Sequence, residues 1–188
     1  MKQLISFLFV TLLLILGCEQ VTEVNSPVKA PQERILNKQL IALPTPIGLG
    51  VESQTFTQSI EGTIWTEFQR TYSYENSSGQ TITQMGDLDF FPGAFTGTKN
   101  ISMTFNTGGA AMDFAPGMQF NADVEYTYII TGLDLTGINP NTLDFVYIDA
   151  NGNMYAVEYA YVSMDINTGM LKVKDAILPH FSRYGFVN

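Results

Sequence analysis

The chain's 188 residues are 45% hydrophobic, 12% aromatic and only 14% charged, with 9 Lys+Arg against 18 Asp+Glu and a formal net charge of -9. That is apolar enough for a packed core and short for more than one ordinary domain, and it excludes disorder of the whole chain. The acidic balance excludes a general nucleic-acid binder, which needs a basic face. One His and one Cys exclude a His-rich zinc site, an internal disulfide and, once Cys18 is accounted for, a Cys/His nucleophile pair.

At the N-terminus, Lys2 precedes an apolar run from Leu4 to Leu16, 13 residues that stop at Gly17 and Cys18. A transmembrane helix needs roughly 20, so the run reads as the hydrophobic region of a secretory signal. Ile15-Leu16-Gly17-Cys18 resembles the lipobox of bacterial lipoproteins, in which a small residue precedes a Cys that receives a diacylglycerol before cleavage. Leu16 is bulkier than the residue usual at its position. The resemblance implies a signal peptide over residues 1–17, lipidation of Cys18 and attachment to the membrane through acyl chains that bury many methylenes. Glu19 stands where inner-membrane retention is associated with Asp, which by the same resemblance favours the outer membrane. The alternative is an ordinary cleaved signal in which Cys18 is incidental.

Residues 18–50 read as the lipidated N-terminus and a tether, with Pro27, Pro31, Pro44 and Pro46 and no sustained apolar alternation. Leu36, Leu40 and Leu43 fall at i, i+4 and i+7 after Pro31. That spacing fits a short helix; a stretch laid along the domain as an edge strand fits equally.

From residue 51 to 188 the period changes to two. Ile101, Met103 and Phe105 alternate with polar neighbours, as do Val124, Tyr126, Tyr128 and Ile130, so both segments are expected as half-buried antiparallel strands. Leu143–Ile148 and Met154–Val162 read as two more strands joined through the turn at Asp149-Ala-Asn-Gly-Asn153, and Asp165-Ile-Asn-Thr-Gly169 leads into another at Met170–Val173. The polar, turn-rich stretch 74–80 reads as a long exposed loop. Short strands at such spacing predict an all-β, antiparallel β-sandwich.

Three landmarks stand in order along that region: Leu88-Asp-Phe-Phe-Pro-Gly-Ala-Phe95, Phe114-Ala-Pro-Gly-Met-Gln-Phe120, and His180-Phe-Ser-Arg-Tyr184. The series resembles the ZU-five domain, the β-sandwich of ankyrins, netrin receptors and zonula occludens proteins, and especially its uncharacterised bacterial lipoprotein relatives, over about residues 58–188. It departs at Glu61-Gly-Thr-Ile64, where the family commonly has paired glycines. In some members the Phe-Ser bond cuts itself. The resemblance would make Ser182 the nucleophile, His180 the general base and Phe181 the acyl donor. Cleavage there would free only the seven residues from Ser182 to Asn188. The bland reading puts Phe181 in the core and has His180 and Ser182 satisfy backbone groups.

Other residues with chemistry have structural readings of their own. Asp149-x-Asn151 and Asp165-x-Asn167 invite calcium, but Ala160 and Ala176 occupy the twelfth loop position where a carboxylate is needed, so hairpin turns are expected and no metal. Tyr155, Tyr159 and Tyr161 share one face of the expected strand with Val157, and with Tyr126, Tyr128 and Tyr147 they could form an aromatic platform for a glycan, or pack as core and rim. Asp87 and Asp89 point to one side of a strand without evidence of a cleft. No phosphate loop, dinucleotide fingerprint or metal cluster occurs, so no cofactor is expected. The sequence therefore describes a membrane-anchored cell-envelope lipoprotein with a non-catalytic binding or scaffold sandwich. Its partner would be an envelope protein or a glycan, engaged through loops such as 74–80 or a sheet edge. Self-cleavage at Phe181-Ser182 and glycan binding are the alternatives.

Overall fold

The computed structural model describes residues 33–35, 37–48, 50 and 52–188. The expected signal peptide, Cys18 and Leu36 lie outside the described residues.

Twelve strands and no helix occur among the described residues. In chain order they are β1 (Arg34–Ile35), β2 (Ser53–Glu61), β3 (Thr66–Glu75), β4 (Thr81–Phe90), β5 (Thr98–Asn106) and β6 (Ala111–Ala115). There follow β7 (Gln119–Thr131), β8 (Asp144–Ile148), β9 (Met154–Ala156), β10 (Tyr161–Asp165), β11 (Met170–His180) and β12 (Arg183–Val187). They form a seven-stranded sheet, β1-β9-β8-β12-β6-β5-β2, and a five-stranded sheet, β10-β11-β7-β4-β3, with every pairing antiparallel.

The expected alternation is what closes the two sheets on one core. Ile101, Met103 and Phe105 of β5 are fully buried, and so are Val124, Tyr126, Tyr128 and Ile130 of β7. On β4 the inward set is Ile82, Gln84, Gly86, Leu88 and Phe90, and on β12 it includes Tyr184 and Phe186. Strand β11 would lose this parity if it were regular. Leu171 and Val173 face inward, a bulge intervenes with Asp175 at φ 52°, and Ala176 and Leu178 resume the inward face one residue out of step.

One polar chain crosses the core. The Tyr128 hydroxyl donates to Gln84 Oε1, and Gln84 Nε2 donates to the Asn106 carbonyl at 3.1 Å. Gln84 thereby ties the small sheet to the large one without an unmet amide. Tyr126 beside it is different: its hydroxyl is buried with no hydrogen-bond partner. Gly86 makes room for it, since a Cβ there would lie 3.0 Å from that oxygen and 2.7 Å from Met103 Sδ.

Three expectations change. The segment around Leu40 and Leu43 takes the extended alternative: Leu40 bridges to Val187, the Ile41 amide donates to the Phe186 carbonyl at 3.0 Å, and Ile41 and Leu43 are buried. The sandwich thus includes residues that composition assigned to a tether. Residues 74–80 are exposed at Glu75 and from Ser77 to Gln80, as expected, but they form a tight hairpin and not a long loop. Tyr74 and Asn76 are buried, Asn76 Oδ1 accepts from the amides of Ser78 and Gln80, and the Tyr74 hydroxyl donates to the Pro44 carbonyl at 2.8 Å. Finally, Met154–Val162 is not one strand. Strand β9 belongs to the large sheet and β10 to the small one, and residues 157–160 cross between them with Val157 buried. The period-two spacing of Tyr155, Val157, Tyr159 and Tyr161 runs on in the sequence, but the inward parity ends at the crossing, where Tyr161 becomes exposed.

Candidate functional site

The triplet His180-Phe181-Ser182 lies at the bend where β11 leaves the small sheet and β12 enters the large one. Phe181 is buried in a nest of rings, stacked on Phe114 at 5.3 Å and edge-on to Phe120 at 4.7 Å and Phe90 at 6.1 Å. Its amide donates to the Met118 carbonyl at 2.9 Å, and the Ser182 carbonyl accepts from the Phe114 amide at 2.9 Å. One residue on, Arg183 grips Asp113 with two parallel bonds of 2.7 and 2.8 Å.

His180 is engaged by tyrosines. Its ring meets Tyr147 edge-to-face with centroids 4.5 Å apart, and the Tyr184 hydroxyl lies 3.4 Å from its Nδ1. The same hydroxyl donates to the His180 carbonyl at 2.7 Å. Burial holds the Tyr184 phenol well above the usual tyrosine range, so it remains a donor at any physiological pH. An open pocket of about 310 Å³ follows, lined by Gly117, Met118, Gln119, Tyr147, His180, Phe181 and Ser182. His180 and Ser182 therefore share one concavity. Neither Phe181 nor Ser182 has a left-handed φ, so the bend is made without that form of backbone strain.

The tyrosines of the expected platform do not share a strand face. Tyr155 in β9 stacks on Tyr147 at 5.5 Å, the Tyr159 hydroxyl donates to Asp144 at 2.7 Å, and the exposed ring of Tyr161 in β10 lies under the Lys172 ammonium at 5.5 Å. Tyr126 and Tyr128 are core. The layer change after Ala156 separates Tyr155 from Tyr161.

Both Asp-rich turns are hairpins. Asp149 Oδ1 accepts from the amides of Asn151 and Asn153 at 2.8 Å, and Asp165 accepts from the Asn167 amide and the Thr168 hydroxyl at 2.9 Å. The bond from the Asn153 side chain holds the Asp149 carboxyl below its ordinary value, and the bond from Thr168 does the same for Asp165.

A feature that spacing along the chain could not supply is a row of acids across the small sheet. Strand register sets Glu67 opposite Asp89, and Asp89 opposite Glu125, with Asp87 one rung along between Gln69 and Thr127. Neighbouring strands are about 4.8 Å apart, so these carboxylates repel. Burial first, then the charges of Asp89 and Glu67, push Asp87 up to about 6, and its Oδ1 is buried without a hydrogen-bond donor. Asp89 and Glu125 are raised chiefly by burial, and Lys174, paired with Asp175, is the cation that relieves them. The alternation of β4 showed that Asp87 and Asp89 share a side; which strands flank them is tertiary information.

No protein-family model, no curated protein and no solved structure matches the chain, so the chemistry of these sites rests on their own residues.

Proposed function

We propose that the protein is a lipid-anchored component of the bacterial cell envelope, held at the outer membrane through acyl chains on Cys18. Its ZU-five-like sandwich would act as a non-catalytic binding or scaffold module for an envelope protein or a glycan. The anchor rests on the apolar run from Leu4 to Leu16 ending at the chain's one Cys. The seating of Phe181 supports the non-catalytic reading. Serine attack on the preceding carbonyl needs a backbone driven toward the hydroxyl. Here backbone bonds to Met118 and Phe114 and a packed ring hold both sides of that peptide. Intact mass of the mature, denatured protein tests both parts. Acyl mass on Cys18 and a C-terminus at Asn188, in fresh and aged samples alike, is expected; a bare thiol removes the anchor. Crosslinking in intact cells then identifies the neighbour.

A second reading is favoured by one observation, the shared pocket of His180 and Ser182. It is self-cleavage between Phe181 and Ser182. A species ending at Phe181 that disappears in Ser182→Ala would establish it in place of the first.

A further inference from the structure

The corner between β2 and β3 carries its apolar side chains outward. Ile64 is 58% exposed and Trp65, the chain's one tryptophan, is 55% exposed. The β3–β4 ladder ends at Thr66 opposite Phe90, so Trp65 and the partly exposed Phe91 continue it side by side beyond the last pair. The corner is also fixed from beneath. The Gly62 amide donates to the Gly97 carbonyl at 3.0 Å, and the Gly62 carbonyl accepts from the Gly93 amide at 2.8 Å. Gly62 cannot be replaced without displacing Phe95, whose carbonyl oxygen lies 2.3 Å from where a Cβ would be. A fixed base thus presents an indole, a sec-butyl and a phenyl group to the outside at one corner.

We propose that this corner is a second membrane contact, dipping into a zwitterionic bilayer surface. Tryptophan beside aliphatic and phenyl groups is the side-chain set that partitions to the head-group boundary, and a small exposed apolar cluster suits a deformable lipid surface. The charge around it selects the lipid. No Lys or Arg lies between Glu61 and Glu67 or between Phe90 and Thr98, and the Glu61 carboxylate, bonded to the hydroxyls of Thr63 and Thr98, sits at the base. Lys99 stands opposite Ile60 one rung below the corner, but Glu61 and Glu67 outnumber it, so attraction to anionic head groups is weak and insertion is chiefly apolar in origin. The inference rests on the proposed anchor for its strength. The fifteen residue steps from Cys18 to Glu33 can span at most about 50 Å. The 13 residues of β7, the longest strand among the described residues, span about 44 Å. An anchored sandwich can thus bring this end to the bilayer, and the weak insertion of a few side chains becomes effective because it is intramolecular.

The single tryptophan makes the test direct. The full lipidated protein is reconstituted into phosphatidylcholine vesicles with and without brominated acyl chains. Trp65 emission should shift to shorter wavelength and fall about twofold on the brominated lipid. Ile64→Ser with Phe91→Ser, both at exposed positions and checked by circular dichroism, should abolish the quenching while keeping the reporter. Vesicles rich in phosphatidylglycerol should quench less. Trp65 that stays unquenched at every lipid concentration overturns the proposal, as does emission that shifts only when an envelope protein fraction is added. Mass of the same sample reports on Cys18 separately. A bare Cys18 with a quenched Trp65 would remove the anchor and keep the tip.

Discussion

The hydroxyl of Tyr184 reaches back across the β11–β12 bend to the carbonyl of His180, 2.7 Å away. The bond closes a loop around Phe181 and Ser182, so the bend is held by a side chain from the strand it introduces. Tyr184→Phe removes that donor and leaves a carbonyl at a crowded turn. A loss of about 1 kcal/mol, read from the denaturant midpoint at unchanged slope, is expected. No loss would mean that the ring packing of Tyr184 alone holds the bend.

Phe181→Ala should cost about 3 to 5 kcal/mol, because it empties the space between Phe90, Phe114 and Phe120. Ser182→Ala, whose backbone carries the local bonds, should change stability by less than about 0.5 kcal/mol. Thermal or urea unfolding of the pair separates packing from side-chain chemistry. Equal costs would contradict the assignment.

Tyr126 and Tyr128 offer a matched comparison on one strand, since both are fully buried and only one has a partner. Tyr128→Phe strands Gln84 Oε1 in the core and should destabilise by about 1 to 3 kcal/mol. Tyr126→Phe removes an unpaired hydroxyl and should be neutral or stabilising. Urea midpoints moving in the same direction by similar amounts would show that Tyr126 finds a donor or acceptor after all, such as an internal water.

Stability should fall as pH rises through about 6. Asp87 is raised to about 6 by burial and then by its acidic neighbours, so the folded state binds a proton more tightly than the unfolded chain does. Its contribution is therefore greatest at low pH and is lost above its folded pKa, and the upward shifts of Asp89 and Glu125 have the same sign. The melting temperature at about pH 5 should exceed that at about pH 8. Asp87→Asn should flatten the difference and stabilise the protein at the higher pH by on the order of 1 kcal/mol, a figure reduced for the screening of a half-exposed group. A flat or opposite slope between about pH 5 and about pH 8 would mean that Asp87 does not hold its proton more tightly in the folded state; the carboxylates that hydrogen bonds favour in their charged form act only below about pH 4.

Legibility in the sequence followed how local each cause was. Ile101, Met103 and Phe105, and the set from Val124 to Ile130, announce their buried faces because side chains alternate across any strand. The turns at Asp149 and Asp165 announce themselves because a carboxylate closes on amides two to four residues away. The all-β class and the paired antiparallel sheets follow from these. The break of Met154–Val162 between two sheets, the docking of Leu40 and Ile41 alongside the last strand, and the step in β11 at Asp175 do not.

The site divides along the same line. Sequence alone places His180, Phe181 and Ser182 in succession and marks Asp87 and Asp89 as sharing a side. Tyr147 against His180, Tyr184 over the bend, and Glu67, Asp89 and Glu125 abreast are set by which strands lie next to one another. Periodicity records only whether a side chain faces in or out. Strand order is chosen by the fit of the whole core, whose contacts join residues far apart in the chain, so only the folded molecule determines it.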